Sequence, residues 1–214
     1  MFFHGMRDIE RDVQLVSTAC MLGTVPGFLN IAEGVALMSL AASTFGAAAI
    51  VEVGSFKGRS TSFLAAGCHF AGRGHVYAVD HFKGSPEHQK GAHEETPEIV
   101  GAGTTLPEFK KNIAGFGLES RVTELVGSSE EIAKSWSRPI RLLFIDGDHS
   151  YAGTSDDFDA WFPFVEAGGT ICMHDYQNQW YLDGVTKFVD ETMMTSPRLE
   201  HLSRIHSLMV FRKK

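Results

Sequence analysis

Cysteines, paired cysteine motifs and basic residues are scarce in this sequence. Its 214 residues include three cysteines, Cys20, Cys68 and Cys172, and none of them forms a CxxC pair. This spacing gives no support to a structural zinc site, and buried, reduced thiols in a cytosolic protein are the simplest interpretation. Lys and Arg number 19 against 26 Asp and Glu, for a formal net charge of −7. This balance argues against a general nucleic-acid binder, because phosphate contacts require clustered Lys and Arg.

Long hydrophobic runs are also lacking. No apolar stretch is long and charge-free enough to cross a bilayer. The start, Met1–Gly5, lacks the basic region and apolar core of a secretory signal. We therefore expect a cytoplasmic protein without a membrane partner. Hydrophobic residues make up 43% of the chain, which is enough to build the core of one domain. The sequence leaves the oligomeric state open, a homo-oligomer included.

Short segments rich in Val, Ile and Leu alternate with helical patterns along most of the chain. Two helices, at residues 6–24 and 30–45, come first and are separated at Pro26-Gly27. Strands are then predicted at 48–53, 74–79, 122–126, 140–145, 169–173 and 207–212, with helices at 60–71, 107–116, 129–136, 155–165 and 184–193. This alternation predicts an α/β fold with a doubly wound, mostly parallel sheet and helices on both faces.

A polar segment interrupts this alternation at residues 81–106. It is rich in glycine and proline, and loops of this length in a compact domain are usually either disordered or functional lids. The sequence leaves both alternatives open. His81, His88 and His93 suggest a metal site, although most histidines in such loops are simply solvated.

A glycine-rich turn follows the first predicted strand. The apolar run of residues 50–53 contains Glu52, and Gly54 and Gly58 follow it four residues apart. A second apolar run ends in Asp80. An acid about 20 residues past such a turn is typical of adenosine-containing cofactors, whose ribose hydroxyls it holds. A plain strand–turn–helix is the alternative interpretation.

The residues within this turn narrow the class of cofactor. Phe56 stands where dinucleotide-binding enzymes carry a third glycine, and the turn has no Gly-Lys-Ser/Thr ending, so it is not a P-loop. The bulky ring argues against a pyrophosphate packed on the turn and favours a cofactor without phosphate. Ser60 can cap the following helix, whose N-terminus favours a negative group such as a carboxylate.

Charged residues also follow two later strands. Asp146, Asp148 and His149 come directly after the strand at 140–145, and His174-Asp175 follows the strand at 169–173. Because neighbouring strands lie about 5 Å apart, Asp146, His174 and Asp175 are expected to converge. Two carboxylates and an imidazole suit Mg²⁺, Mn²⁺ or Fe²⁺. The alternatives are a hydrogen-bonded His-Asp pair lining the cleft and a capping turn at Asp148.

At these residues the sequence resembles the class I S-adenosylmethionine-dependent methyltransferases. The most similar branch is the one called methyltransferase family 24, which is related to sugar and macrolide O-methyltransferases and more distantly to catechol and caffeoyl-CoA O-methyltransferases. The resemblance covers roughly residues 25–212. It is carried by Glu52–Ser60, by Ile145–Tyr151, by Gly169–Tyr176 and by Pro26–Leu29 with Glu33.

The resemblance implies a seven-stranded Rossmann-like sheet and S-adenosylmethionine as the cofactor. Residues 1–45 would be N-terminal helices covering the cofactor cleft, and residues 46–214 the methyltransferase domain. Asp80 would bind the ribose hydroxyls, and Ser128 and Ser129 would flank the adenine. The implied cofactor contacts are Glu52, Gly54, Ser55, Phe56, Gly58, Ser60, Asp80, His81, Ser128, Ser129 and Asp146.

The resemblance further implies O-methylation of a small-molecule hydroxyl on a sugar, a phenol or a natural product. The metal-dependent relatives carry an Asp-Asn pair where this chain has His174-Asp175, so metal binding by Asp146, His174 and Asp175, with Mg²⁺ or another divalent cation, stays open. The relatives' general-base lysine falls at His149, which gives catalytic roles to His149 and Asp146. A non-catalytic cofactor-binding module of the same fold and an NAD-dependent oxidoreductase are the alternatives.

Overall fold

The computed structural model describes residues 2–44, 48–178 and 183–214. The helices are α1 (Phe2–Leu22), α2 (Ile31–Ala42), α3 (Arg59–Phe70), α4 (Pro97–Ala102), α5 (Leu106–Gly115), α6 (Ser129–Lys134), α7 (Tyr151–Trp161) and α8 (Gly184–Phe188), which continues as a π-helical turn at Val189–Met193. The strands are β1 (Ala49–Val53), β2 (Val76–Asp80), β3 (Val122–Val126), β4 (Ile140–Ile145), β5 (Val165–Met173), β6 (Leu199–Ile205) and β7 (Leu208–Lys213). The predicted domain boundary at 45/46 lies outside the described residues.

The seven strands form one sheet in the order β3-β2-β1-β4-β5-β7-β6. The first five strands in this order are parallel, and β7 runs antiparallel to both β5 and β6. The predicted doubly wound, mostly parallel sheet is therefore confirmed. The direction of winding reverses between β1 and β4, and ligands of such sheets bind outside the carboxyl ends of the strands at this point.

Two apolar layers cover the sheet. One contains Phe63 and Leu64 of α3, and the other contains Phe158 and Trp161 of α7. All five residues of β1 are buried, as expected for a central parallel strand with helices on both faces. Within the described residues, no helix is both long and apolar enough to cross a membrane.

Helix α2 is fixed against α3 by close backbone packing. A Cβ on Gly34 would lie 2.6 Å from the Phe63 ring, and one on Gly67 would lie 2.2 Å from the Met38 carbonyl oxygen. The N-terminus of α2 is held by a capping box in which the Asn30 backbone N–H donates to Glu33 Oε2 at 2.8 Å. This arrangement aims the Glu33 side chain at the sheet.

The 81–106 segment is folded over the glycine-rich turn. It contains a short helical turn at Pro86–His88 and helix α4. Lys57 of the turn pairs with Glu98 at 2.8 Å, and the Phe56 ring stacks on His88 at 4.9 Å between centroids. Of the two alternatives left open by the sequence, these contacts favour the lid.

Several elements differ from the sequence prediction, and helix α4 at Pro97–Ala102 was not predicted at all. Helix α7 begins at Tyr151 instead of residue 155, because the Ser150 side chain caps it by accepting from the Gly153 backbone N–H. Strand β5 begins at Val165, four residues before the predicted start. Strand β6 was not predicted among the individual strands, because four of its five consecutive exposed residues are polar, as occurs at a sheet edge.

Candidate active site

A cavity of about 590 Å³ opens at the carboxyl edge of the sheet, beside the point where the winding reverses. This volume is typical of a small-molecule site. Its wall is formed by residues 26–29, 53–57, 59–60, 79–81, 84–86, 88, 105, 127–130, 146–150, 152–153, 156–157 and 174–175. Of the site residues predicted from the sequence, Glu52 and Gly58 are outside this wall.

The loops after β1 and β4 touch at the centre of the cavity. Gly54 has a φ of +86°, and a Cβ added there would lie 2.0 Å from the Asp146 carbonyl oxygen. Only glycine avoids both the left-handed strain and this collision. Gly54 therefore allows the turn and Asp146 to form one continuous wall.

Glu52 supports the glycine-rich turn from behind. It is fully buried, and its Oε2 accepts from the Ser55 hydroxyl at 3.0 Å and from the Thr61 hydroxyl. Burial raises the pKa of Glu52 to about 7, against the lowering effect of these hydroxyl donors. Its Oε1 has no hydrogen-bond partner among the described residues. Glu52 thus holds the glycine-rich turn from behind and does not line the cavity.

Asp80 lies at the end of β2 and is already hydrogen-bonded to the backbone. Its Oδ2 accepts from the N–H groups of Ser55 and Phe56 at 2.9 and 2.7 Å, and its Oδ1 accepts from Phe82 N–H at 2.6 Å. A carboxylate has about four acceptor positions, so about one remains on Oδ1. In this geometry Asp80 keeps about one acceptor position for a ligand.

The start of helix α3, on the other side of the glycine-rich turn, offers hydrogen-bond donors to the cavity. Helix α3 begins after Gly58 with its N-terminus towards the cavity, where the Ser55 and Ser60 side chains are buried. Arg59 donates from a guanidinium N–H to the Gly27 carbonyl oxygen at 2.9 Å. Hydroxyls, a guanidinium and a helix N-terminus suit a carboxylate such as that of a bound amino acid.

At the other end of the cavity, Ser128 and Ser129 begin α6. The Ser128 side chain caps the helix, and Ser129 Oγ accepts from Trp161 Nε1 at 2.8 Å. Asp157 lines the wall beside them and was not predicted from the sequence.

His174 is held between two carboxylates. Its Nε2 lies 3.1 Å from Glu33 Oε2, and its Nδ1 lies 2.9 Å from Asp146 Oδ1. Burial favours the neutral ring, but Asp146, Asp175 and Glu33 together raise the pKa of His174 well above its usual value. Burial likewise opposes ionisation of Glu33, whereas His174 and the Ser207 and Asn30 donors lower its pKa to about 2. Both nitrogens of His174 are therefore engaged by carboxyl groups, which favour the charged form of the ring.

His149 pairs with Asp175 next to this group. His149 Nε2 lies 2.9 Å from Asp175 Oδ2, and Asn178 Nδ2 donates to Asp175 Oδ1 at 2.6 Å. Burial opposes ionisation of Asp175, but His149 and His174 hold its pKa below its usual value. Asp175 has a φ of +63°, which is uncommon outside glycine and frequent at functional sites.

Among the described residues, three side chains group closely enough to hold a metal ion. They are Asp146, His149 and Asp175, whose ligand atoms lie within 4.8 Å of one another. The sequence placed His174 in this set in place of His149. His174 lies beside Asp146 as predicted, but its nitrogens already face Glu33 and Asp146 and are not offered to an ion. His81 and His93 of the lid are exposed and belong to no such group.

Known methyltransferase structures share the fold of this chain. The O-methyltransferase NovP has a similar structure, with a TM-score of 0.66, 16% sequence identity, and coverage of 86% of this chain and 80% of that chain. An S-adenosylhomocysteine-bound methyltransferase of Podospora anserina has a TM-score of 0.64, 15% identity, and coverage of 94% and 87%. At these identities the likeness concerns the fold.

Sequence comparison adds two findings. An uncharacterized protein of Acanthamoeba polyphaga mimivirus is 46% identical over 39 residues, so the match spans only 18% of this chain and 18% of that relative. The methyltransferase domain family matches residues 51–176, which contain the glycine-rich turn, Asp80, the Asp146–Tyr151 loop and the His174-Asp175 pair. The chain therefore belongs to the methyltransferase domain family, and its fold is that of the class I S-adenosylmethionine-dependent enzymes.

Proposed function

We propose that this chain transfers the methyl group of S-adenosylmethionine to a hydroxyl of a small-molecule acceptor, such as a sugar, a phenol or another natural product. The observation that carries the proposal is the His149–Asp175 pair, which faces the cavity beside Asp146. A hydroxyl needs to lose a proton during methyl transfer, and an oriented imidazole is a suitable acceptor for that proton.

The cavity suits the cofactor chemically along its length. The α3 N-terminus with Arg59 suits the amino-acid carboxylate, Asp80 has an acceptor position for a ribose hydroxyl, and Ser128 and Ser129 border the space for a base. When bound, S-adenosylmethionine supplies a methyl group already activated by its sulfonium charge. The chain's own task is then to align the acceptor, exclude water and remove one proton.

We assign His149 as the base that accepts the proton from the acceptor hydroxyl. A hydrogen bond from Nε2–H to the Asp175 carboxylate selects the neutral tautomer in which Nδ1 carries the lone pair. Asp175 is buried and held by Asn178 and His174, so it fixes the ring and stabilises the imidazolium that forms. Glu33 in turn holds His174, whose Nδ1 lies 2.9 Å from Asp146 Oδ1 and orients that carboxyl group.

Replacement of the base tests the proposal. We expect His149→Ala to lower kcat by about 10² to 10⁴-fold on any accepted hydroxyl substrate, with little change in cofactor affinity. Methyl transfer from labelled cofactor to a panel of hydroxyl acceptors measures the rate, and calorimetry measures the affinity. His201→Ala, an exposed histidine on β6, is the matched control. If His149→Ala turns over as fast as the wild type across the pH range, His149 is not the base. If the wild type methylates no acceptor in the panel, a non-catalytic binding module is favoured.

A divalent ion is the second mechanism that the geometry supports. Asp146, His149 and Asp175 offer one nitrogen and two oxygens in suitable proximity, a donor set that Mg²⁺ or another divalent cation accepts. Such an ion would hold an acceptor oxygen and lower its pKa. His149 Nε2 cannot both coordinate an ion and donate to Asp175, so the two mechanisms make opposite predictions.

Removal of divalent metal distinguishes the metal-assisted mechanism from the one in which His149 is the base. If an ion is required, dialysis against EDTA abolishes transfer, added Mg²⁺ or another divalent cation restores it, and Asp146→Asn removes the restoration. If His149 is the base without an ion, turnover after EDTA equals that of untreated protein. The measurement is the initial rate with cofactor at saturation in both samples.

A further inference from the structure

The loop after β5, here called the Asp175 loop (residues 174–178), has an uncommon backbone conformation. Asp175 has a φ of +63° and Gln177 has a φ of +54°. Both values lie in the left-handed region, which is unfavourable for a residue with a Cβ. Residues keep such values only where the surrounding structure fixes the chain. The contacts that fix this loop therefore also fix the hydrogen-bond partner of His149.

Two neighbouring elements hold the backbone of the Asp175 loop. The Tyr176 N–H donates to the carbonyl oxygen of Ser207, in the turn between β6 and β7, at 3.0 Å. The Gln177 N–H donates to Thr186 Oγ1 on α8 at 2.8 Å. Each of these bonds fixes one point of the backbone, so the side chains of Tyr176 and Gln177 depend on other contacts.

Arg204 of β6 joins these two side chains to the β6–β7 turn. Its guanidinium lies over the Tyr176 ring, 4.8 Å from the centroid. Its Nη1 donates to Gln177 Oε1 at 2.6 Å, and its Nε donates to the His206 carbonyl oxygen at 2.6 Å. A guanidinium is planar and its donors point in fixed directions, so these three contacts define a single arrangement.

Arg204 has no direct access to a ligand in the cavity. Its side chain is exposed, and it is not part of the cavity wall, whereas Asp175 is. Any effect of Arg204 on methyl transfer therefore passes through the Asp175 loop. His149 Nε2 lies 2.9 Å from Asp175 Oδ2, and a shift of about 1 Å would lengthen this contact beyond the range of a hydrogen bond.

We propose that Arg204 is a positioning residue for methyl transfer, because its hold on Tyr176 and Gln177 keeps the Asp175 carboxylate directed at His149. The proposal rests on the proposed function, which assigns His149 as the base. Without the Asp175 carboxylate in place, the His149 ring loses the partner that selects its tautomer and orientation. Misplacement of a catalytic group by about 1 Å can lower a rate by about 100-fold.

Steady-state kinetics tests the role of Arg204. We expect Arg204→Ala to lower kcat by about 10-fold or more, with KM for S-adenosylmethionine within about twofold of the wild type. Arg204→Lys keeps the charge but not the planar donors, so it should resemble Arg204→Ala. Arg212→Ala is the matched control, since Arg212 is an exposed arginine near the far end of β7 that pairs with Glu200. A wild-type kcat in Arg204→Ala would overturn the proposal.

A double variant shows whether Arg204 acts through the base. If it does, kcat of His149→Ala with Arg204→Ala should equal that of His149→Ala to within about twofold, because the pair is already broken. If Arg204 only supports the fold, its replacement lowers kcat by the same factor in both backgrounds, and the proposal is wrong.

Proton NMR of the EDTA-treated chain tests the geometry without turnover. An imidazole N–H bonded to a buried carboxylate exchanges slowly with water, and the side chain of Asp175 is only 5% exposed. Loss of its resonance in His149→Ala assigns it to His149. We expect the resonance to be lost in Arg204→Ala and retained in Arg212→Ala, and its retention in Arg204→Ala would contradict the positioning role.

The NMR result also separates this proposal from the function on which it rests. If the wild type methylates no acceptor, the proposed function fails, and the resonance alone decides whether Arg204 positions Asp175. If circular dichroism shows that Arg204→Ala does not fold, Thr186→Val removes the other side-chain contact of Gln177 with little change in volume. Loss of the His149 resonance in Thr186→Val supports control by the Asp175 loop, and its retention overturns it.

Discussion

At the scale of single residues, the buried carboxylates differ in how they are satisfied. Glu33 accepts from His174, from Asn30 N–H and from the Ser207 backbone and hydroxyl, and its pKa is low. Glu52 has hydroxyl donors on one oxygen only, and its pKa is high. The difference follows from the neighbouring groups, because His174 lowers the pKa of Glu33, whereas Glu52 accepts only from hydroxyls among the described residues.

Glu52 makes stability depend on pH. The pKa of Glu52 is about 7 in the folded chain, above its ordinary value of 4.5. The contribution of Glu52 to the free energy of unfolding is therefore fully present below pH 4.5 and is lost as pH rises through 7. Glutamine cannot ionise. We therefore expect Glu52→Gln to gain stability over the wild type as pH rises from 4.5 to 7, by up to about 3 kcal/mol. Urea unfolding at several pH values measures this, with the exposed Glu119→Gln as control. A pH-independent difference between Glu52→Gln and the wild type would contradict the burial of this charge.

At the scale of elements, the loops after β1 and β4 depend on each other through Gly54. We expect Gly54→Ala to cost about 3 kcal/mol or more, because it adds left-handed strain and a collision with the Asp146 carbonyl oxygen. Gly72 is the matched control, since its φ of +67° is also left-handed but no atom lies within 4 Å of an added Cβ. Gly72→Ala should cost only about 1 kcal/mol. Denaturant unfolding measures the loss in the free energy of unfolding for both variants. Equal losses would show that the two loops move apart without a large energetic penalty.

Some contacts between the site residues could be predicted from the sequence, and others could not. The meeting of Asp146 with His174 and Asp175 was predictable, because the ends of adjacent parallel strands share one edge of the sheet. The contact between Glu33 and His174 spans 141 residues and depends on how α2 packs on α3, which no local pattern encodes. The pairing of His149 with Asp175 depends in the same way on the path of the loop before α7.

At the scale of the whole molecule, ligand binding and folding are linked. A ligand that binds only the folded chain stabilises it by about 2.7 kcal/mol at 100 times its Kd. For a chain of this length we expect S-adenosylhomocysteine at that concentration to raise Tm by roughly 5–10 °C, and NAD to leave it unchanged. Differential scanning calorimetry measures both shifts. A shift with NAD alone would contradict the assigned cofactor.

The aromatic rings over the cavity join three separate segments of the chain. Phe28, Phe56 and His88 have ring centroids 4.9–5.9 Å apart, and His88 stacks on both phenylalanines. All three line the cavity, so one part of its wall exists only while the three segments pack together, and a shift of any one of them changes the space open to a ligand.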